Sequence, residues 1–335
     1  MRRSALAISL LLAVGLTASA CAGAPAESAE RPASTSGATD SAEWPRTIEH
    51  AMGSTEIDAP PLRIVALDNS YVDATILLES DVVGYTTYRS VDGTFPEYLG
   101  EAAQEYAGEA TSVGVITEPD LEAIHALDPD LIISAKVRHE KIYDQLSQIA
   151  PTVMSETTGP TWQENIRLLA SALGKEELAE AKLETYLAAA ETVGAEINEK
   201  AGDPTISVVR FLDGPTRLYL NATFSGIVLQ DMNLARPKAQ DVDDFAIEIN
   251  EEQIGLAEAD RIFVTTFAGE DDLGVKTKER FALNPLWKPL APKTVDVSDE
   301  AWMTAVSVQG AYEIMSDLAD AFDVEGPAGA ESVVG

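Results

Sequence analysis

Apolar runs and amphipathic stretches alternate along most of this chain. Residues 62–67 (Leu-Arg-Ile-Val-Ala-Leu) read as a buried strand, 71–79 as a helix, and Val82-Val83-Gly84-Tyr85 as a second short strand. Residues 121–127 then read as a helix and Leu131-Ile132-Ile133-Ser134 as another strand. The pattern restarts with the strand Ile206-Ser207-Val208-Val209, a helix over 226–233 and the strand Ile262-Phe263-Val264. Strands that alternate with helices predict an α/β fold with a mostly parallel sheet covered on both faces.

The two halves repeat each other. At a constant offset Glu122 falls on Glu252, Ile124 on Ile254, Asp130 on Asp260 and Ile132 on Ile262, each set being a helix that feeds a strand. Equal spacing favours two related lobes. Between them, apolar or small residues recur at Leu183, Leu187, Ala190, Gly194, Ile197 and Ala201 in steps of four and three, one stripe of an amphipathic helix over 175–201. At 1.5 Å per residue it is about 40 Å long, and Gly202-Asp203-Pro204 stops it. One unbroken helix resists hinge closure better than extended connectors, so a rigid two-lobed molecule with a ligand cleft between the lobes is expected.

The ends change the picture of location. Arg2 and Arg3 precede an apolar run over 5–16 and small residues up to Ala20, the layout of an export signal. Cys21, the single cysteine of the chain, stands where a lipid-accepting thiol is needed; an ordinary signal cleaved near Ala20 would leave it without a role. The boundaries expected are a lipoprotein signal peptide over 1–20, a disordered tether and lead-in over 21–60, lobes over 61–174 and 203–325, a linker helix over 175–202, and a flexible tail over 326–335. A monomer on the outer face of the cell membrane, touching it through the lipid anchor alone, is the arrangement implied. With 56 acidic against 23 basic residues the formal charge is −33, which argues against nucleic acid as a partner, because that needs cations to displace counterions.

Several motifs together resemble a known family. The run Val113-Gly114-Val115, Glu118-Pro119-Asp120-Leu121-Glu122 and Leu127-Asp128-Pro129-Asp130-Leu131-Ile132-Ile133 is similar to the signature of helical-backbone (class III) periplasmic binding proteins, which carry iron-siderophores, cobalamin and haem to ABC importers. The stretch 138–146 with Ile149-Ala150-Pro151-Thr152-Val153, then Val208-Val209-Arg210-Phe211, Tyr219 with Phe224-Ser225-Gly226, and Asn284-Pro285-Leu286-Trp287 resemble its iron-siderophore branch, particularly in actinobacterial lipoproteins. The likeness covers about residues 60–323, and the stretch 302–307 departs from the family's glycine-containing segment. The resemblance implies two Rossmann-like lobes on one long rigid helix, a ferric siderophore as ligand, and an ABC permease dimer as partner.

It also implies roles for particular residues. Glu122 and Glu252 would each meet an arginine pocket on one permease subunit; helix-dipole complementation alone would also explain them. Arg89, Arg138 and Arg210 lie near strand ends, where ligands of α/β sheets bind, and a guanidinium donates to two chelate oxygens at once. Tyr88, Trp162, Tyr219, Trp287 and Trp302 could cover the apolar skeleton of a chelate, although single tryptophans are as readily core. His50, His125 and His139 form no metal-ligating pattern with carboxylates, so no metal is bound directly, the siderophore holds its own iron, and no cofactor is expected. Hydroxamates, with ferrioxamine-like chelates ahead because a free amine suits an acidic surface, are the ligand class expected. Haem and cobalamin are the alternatives within the fold. An enzyme is not expected, since no Gly-x-Ser-x-Gly elbow or phosphate-cradling glycine loop occurs; a cell-surface hydrolase is the remaining alternative class.

Overall fold

The computed structural model describes residues 43–87, 95–267, 269 and 271–330. They open with an antiparallel hairpin, β1 (Arg46–His50) and β2 (Gly53–Ile57), in a stretch expected as disordered tether and lead-in. That expectation is corrected: backbone pairing, not apolar content, orders these residues. Thr55 Oγ1 donates to the carbonyl of Thr152 at 2.8 Å, and the Ala51 amide to that of Met154 at 2.8 Å. His50 fastens the hairpin, its Nδ1 accepting the amides of Met52 and Met154 at 3.2 and 3.4 Å while Nε2 meets Thr55 Oγ1 at 2.9 Å. Burial holds this ring below the ordinary histidine value, which suits an accepting nitrogen.

Six strands then form the first sheet: β3 (Ile64–Ala66), β4 (Val82–Thr87), β5 (Thr111–Val115), β6 (Glu118–Pro119), β7 (Leu131–Ala135) and β8 (Thr152–Ser155), in the order β6-β5-β4-β3-β7-β8. All neighbours are parallel except β5 and β6. The helical elements of this half are α1 (Asn69–Leu77), α2 (Gly100–Ala107), α3 (Leu121–Ala126), the single turns α4 (Lys136–His139) and α5 (Tyr143–Leu146), and α6 (Trp162–Leu173). After α7 (Glu176–Ala201) comes the second sheet: β9 (Ile206–Phe211), β10 (Thr216–Tyr219), β11 (Ala246–Ile249), β12 (Arg261–Thr266) and β13 (Thr294–Asp296), in the order β11-β10-β9-β12-β13. Here β9, β12 and β13 are parallel, and β10 runs antiparallel to both of its neighbours, β9 and β11. The turn between β9 and β10 is too short for a crossover, so the chain must double back. Helices α8 (Phe224–Asp231), α9 (Leu273–Leu283) and α10 (Val308–Phe322) complete this half.

Strand alternation sorts side chains between two faces. In the first sheet Ile64, Ala66, Leu131, Ile133 and Val153 enter the largest core, while Val65, Leu67, Ile132 and Met154 enter an outer one. In the second sheet Ile206, Val208 and Phe263 join that same largest core, and Val209, Phe211, Ile262 and Val264 face a third. One apolar interior therefore runs through both halves. Both faces being buried explains why the strands read as unbroken apolar runs.

The 26-residue helix α7 runs through that interior, its buried side reading Ala179, Leu183, Tyr186, Ala190, Val193, Gly194 and Ile197. Gly202 ends it in a left-handed conformation (φ 75°), its amide bonded to the Asn198 carbonyl at 2.9 Å. Gly194 is required by contact: a Cβ there would stand 1.8 Å from the carbonyl oxygen of Met232, just past α8. Beside it, Asp231 Oδ2 accepts from Tyr186 of α7 at 2.7 Å and from Gln163 of α6 at 2.9 Å, tying both helices to the end of α8.

The repeat seen in the sequence has a common structural role. Asp130 Oδ2 accepts the amides of Leu62 and Arg63, each at 3.0 Å, and Asp260 Oδ2 accepts the Thr205 amide at 2.8 Å. Each aspartate anchors the lead into the first strand of its sheet. At the other end of the chain the tail is partly tied down, the Tyr312 hydroxyl donating to the Ala328 carbonyl at 3.2 Å. Among the described residues no helix is long and apolar enough to cross a membrane.

Candidate ligand cleft

Ligands of parallel sheets bind beyond the carboxyl ends of the strands, and those ends converge on one cavity of about 280 Å³. The first half contributes Asp68 and Asn69 after β3, Arg138 after β7, and residues 157–160 after β8. The second contributes Arg210 of β9, Arg217 and Tyr219 of β10, residues 222–225, Phe245, and a wall formed by 302–304 and Val306.

Three guanidiniums dominate it. Arg210 lies 6% exposed and is held by a two-toothed pair to Asp299 at 2.8 and 2.7 Å, with the Tyr219 hydroxyl 3.0 Å from Nη1. Burial opposes its charge, but Tyr219 and Asp299 more than offset this and hold it above the ordinary arginine value. Arg217 is its direct cross-strand partner, so both side chains share one face of the sheet. Like charges in that register repel. A loose contact from Arg217 to Glu248, at 3.3 Å, relieves it on that side. From the opposite half, Arg138 Nε donates to Asp68 Oδ2 at 3.0 Å. Neighbouring His139 is buried between Ser134 Oγ (2.6 Å from Nδ1) and the Ile116 carbonyl (2.7 Å from Nε2), which fixes the turn that carries Arg138; burial lowers its pKa. Asp68 is the single carboxylate among the described lining residues.

Apolar surface frames these cations. Phe245 and Val137 stand on opposite lips, 51% and 61% exposed, and Phe245 meets the edge of Tyr219 with ring centres 5.3 Å apart. The far wall is strained. A π-type turn, Glu300–Thr304, leads to Val306 at φ 40°, a left-handed conformation that costs a β-branched residue free energy. Behind this wall Asp73, 2% exposed, accepts from Tyr98 at 2.9 Å and bonds Ser307, while Gln309 donates to the Asp73 carbonyl at 2.9 Å.

The residues anticipated from sequence divide into groups. Arg138, Arg210 and Tyr219 come together on the cavity. Trp302 bounds it, but its indole is fully buried, stacked on Phe263 at 4.9 Å and donating to Asp317 at 2.7 Å. Trp162 and Trp287 do not line it: Trp162 packs edge-on against Tyr186 and Phe224, and Trp287 lies in the outer core with Phe211 and Phe281. Large rings gain more from full burial than from a wet cleft. Tyr88, Arg89 and Cys21 lie outside the described residues. Glu122 and Glu252 are exposed and do not line the cavity. The Glu122 amide is held by Asp120 Oδ1 at 3.0 Å and that of Glu252 by Asn250 Oδ1 at 2.9 Å. Glu252 is not in an α-helix, as expected, but in a turn before the short 3-10 segment Ile254–Ala257, where Gly255 weakens helix propagation. Sequence reasoning missed Arg217, Phe245 and the 157–160 loop. The alternation of Arg217 with Tyr219 on one strand was the available signal for the first of these. Among the described residues no cluster of three or more His, Cys, Asp or Glu side chains could hold a metal ion.

A cleft of this kind, between two α/β lobes mounted on one helix, defines a solute-binding protein. The chain belongs to the periplasmic binding protein family, whose profile matches residues 64–292, and has the class III fold of that family. It is similar to the probable siderophore-binding lipoprotein YfiY of Bacillus subtilis (strain 168), with 35% identity over 292 residues that cover 82% of this chain and 86% of that protein. Similarity extends to the Fe(3+)-citrate-binding protein YfmC of the same organism, at 29% identity over 73% of this chain and 74% of that one. Among solved structures, Staphylococcus aureus SirA complexed with staphyloferrin B matches with a TM-score of 0.75 and 31% identity, over 84% of this chain and 99% of that one.

Proposed function

We propose that this protein captures an anionic ferric siderophore and delivers it to an ABC importer, held at the outer face of the cell membrane by a lipid on Cys21. The observation that carries the ligand class is the cross-strand pair Arg210 and Arg217, facing Arg138 across the cavity in a chain of formal charge −33. Surface charge is screened within about 8 Å at physiological salt, so the local guanidiniums govern what the cleft accepts. They favour carboxylate-bearing chelates over the free-amine hydroxamates that the acidic surface suggested. Similarity to YfiY, a probable siderophore-binding lipoprotein, supports the siderophore reading, and similarity to YfmC, an Fe(3+)-citrate-binding protein, supports a carboxylate-bearing chelate.

Tryptophan-fluorescence titration of the non-lipidated protein tests it, since Trp302 bounds the cavity and Trp162 backs Phe224. Ferric citrate is expected to quench saturably and to bind at least about tenfold tighter than ferrioxamine B, as charge-assisted contacts would require. Saturation by haem or cobalamin alone would replace the ligand while keeping the fold.

Glu122 and Glu252 are the docking residues in this reading, supported by their exposure and their matching Asx-held turns. Reversing both charges, Glu122→Lys with Glu252→Lys, is expected to cut uptake of iron-59 chelate by about tenfold or more, because each lost ion pair becomes a repulsion. Chelate affinity of the isolated protein should not change. Undiminished uptake would place docking elsewhere.

A further inference from the structure

The first turn of α8 forms part of the cavity lining, through residues 222–225. Helix α8 is capped by a neutral side chain: Thr223 Oγ1 accepts the Gly226 amide at 3.0 Å. The two amides before it, on Phe224 and Ser225, begin the helix and have no intrahelical acceptor. Gly226 permits this turn, because a Cβ there would stand 2.2 Å from the Leu220 carbonyl oxygen. Ser225 is 1% exposed, lines the cavity, and its hydroxyl has no hydrogen-bond partner among the described residues. A hydroxyl left desolvated and unpaired is destabilising, and a ligand oxygen would remove that penalty.

Two neighbours sharpen the point. From the opposite half, Gly159 approaches the same turn, and the nearest atom to a Cβ placed on it is the Phe224 nitrogen at 3.8 Å. No side chain at Gly159 screens that amide. Helix α1, which also starts at the cavity, is already answered from within: its cap is Asp68, whose Oδ1 accepts both the amide and the hydroxyl of Ser70. The start of α1 thus carries its own carboxylate and that of α8 carries none.

We propose that the first turn of α8 is a carboxylate subsite of the cleft, in which the Ser225 hydroxyl and the Phe224 and Ser225 amides take one carboxylate of the chelate while Arg138, Arg210 and Arg217 hold its remaining oxygens. This rests on the reading of the cavity as a ferric-chelate site. It makes Ser225 a determinant of ligand class: a chelate with a free carboxylate gains from it, and an uncharged one does not.

The test uses two probes, ferric citrate and the uncharged chelate ferrichrome, with the parent protein and Ser225→Ala. Ser225→Ala is expected to weaken ferric citrate about 10- to 150-fold, the range of a hydrogen bond to a charged group, to change ferrichrome less than about twofold, and to melt no lower than the parent. In the nitrogen-15-labelled parent, the Phe224 and Ser225 amide resonances should be among those that move most on adding citrate. Equal losses for both chelates, or unaltered ferric citrate binding with those amides unmoved, overturn the subsite and leave chelate capture standing. A parent that binds no ferric chelate overturns the reading beneath it instead. The amide shifts need no variant, so a variant that failed to fold would not remove the test.

Discussion

Arg210→Ala is expected to lower stability by about 3–5 kcal/mol and to abolish ferric citrate capture at the same time. The first effect comes from what is left behind. Asp299 is largely buried, with 13% of its side chain exposed, and loses both of its guanidinium bonds, while the Tyr219 hydroxyl loses its partner at 3.0 Å. Removing one member of a buried pair strands the other charge, whereas replacing both by apolar groups of similar volume is often close to neutral. The double change Arg210→Met with Asp299→Leu should therefore recover most of the stability in a urea melt yet still bind ferric citrate at least about tenfold more weakly, as loss of one charge-assisted contact to the chelate implies. A double variant that captured the chelate as the parent does would show that Arg210 serves the fold alone.

Asp73→Asn is expected to stabilise the protein increasingly as pH rises. Burial, the largest influence, pushes the Asp73 carboxyl up to about 8 from an ordinary 3.8, against hydrogen bonds from Ser307 and Tyr98 that favour its charge and with Asp68 and Glu300 opposing it. The folded chain then binds this proton more tightly than the unfolded one between those two values. Its stabilising contribution is complete below about pH 4 and drains away as pH climbs toward 8. Asparagine keeps an acceptor for Tyr98 and a donor for Ser307 without ever ionising. The gap between variant and parent should grow from near zero at pH 4 to several kcal/mol, on the order of 5, by pH 8. Glu313, Asp231 and Asp317 also have carboxyls raised by burial, but both proteins share them and the difference removes them. Urea melts of the pair across this range measure the gap; a gap independent of pH would mean that Asp73 is already ionised in the native state.

Much of the fold was legible because its signals are local. The stripe along α7, the stop at Gly202 and the apolar strands each follow from a few neighbouring residues, and the repeat at Asp130 and Asp260 reflects one task done twice. The hairpin over 46–57 was not legible: its buried apolar side chains are Ile48 and Ile57, and its order comes from His50 and from strand β8, about a hundred residues away in sequence. The cavity was half legible. Arg210 could be found at the end of a strand, but Arg217 acquires meaning only through its register with Arg210, and Ser225 only through the turn that Gly226 allows. Trp162 and Trp287 misled because composition cannot say whether a ring faces a cleft or a core.

The shared interior has a consequence for how loading is reported. Gly194 seats α7 directly under the Met232 carbonyl, and the largest apolar core draws side chains from both sheets, so wide separation of the halves would open that core. Such a molecule works as a caliper with its jaws locked. If Glu122 and Glu252 dock as proposed, they would keep nearly the same span whether the gauge is empty or loaded. A transporter reading it could not measure travel; it would have to feel the gap itself, at the lips around Val137 and Phe245.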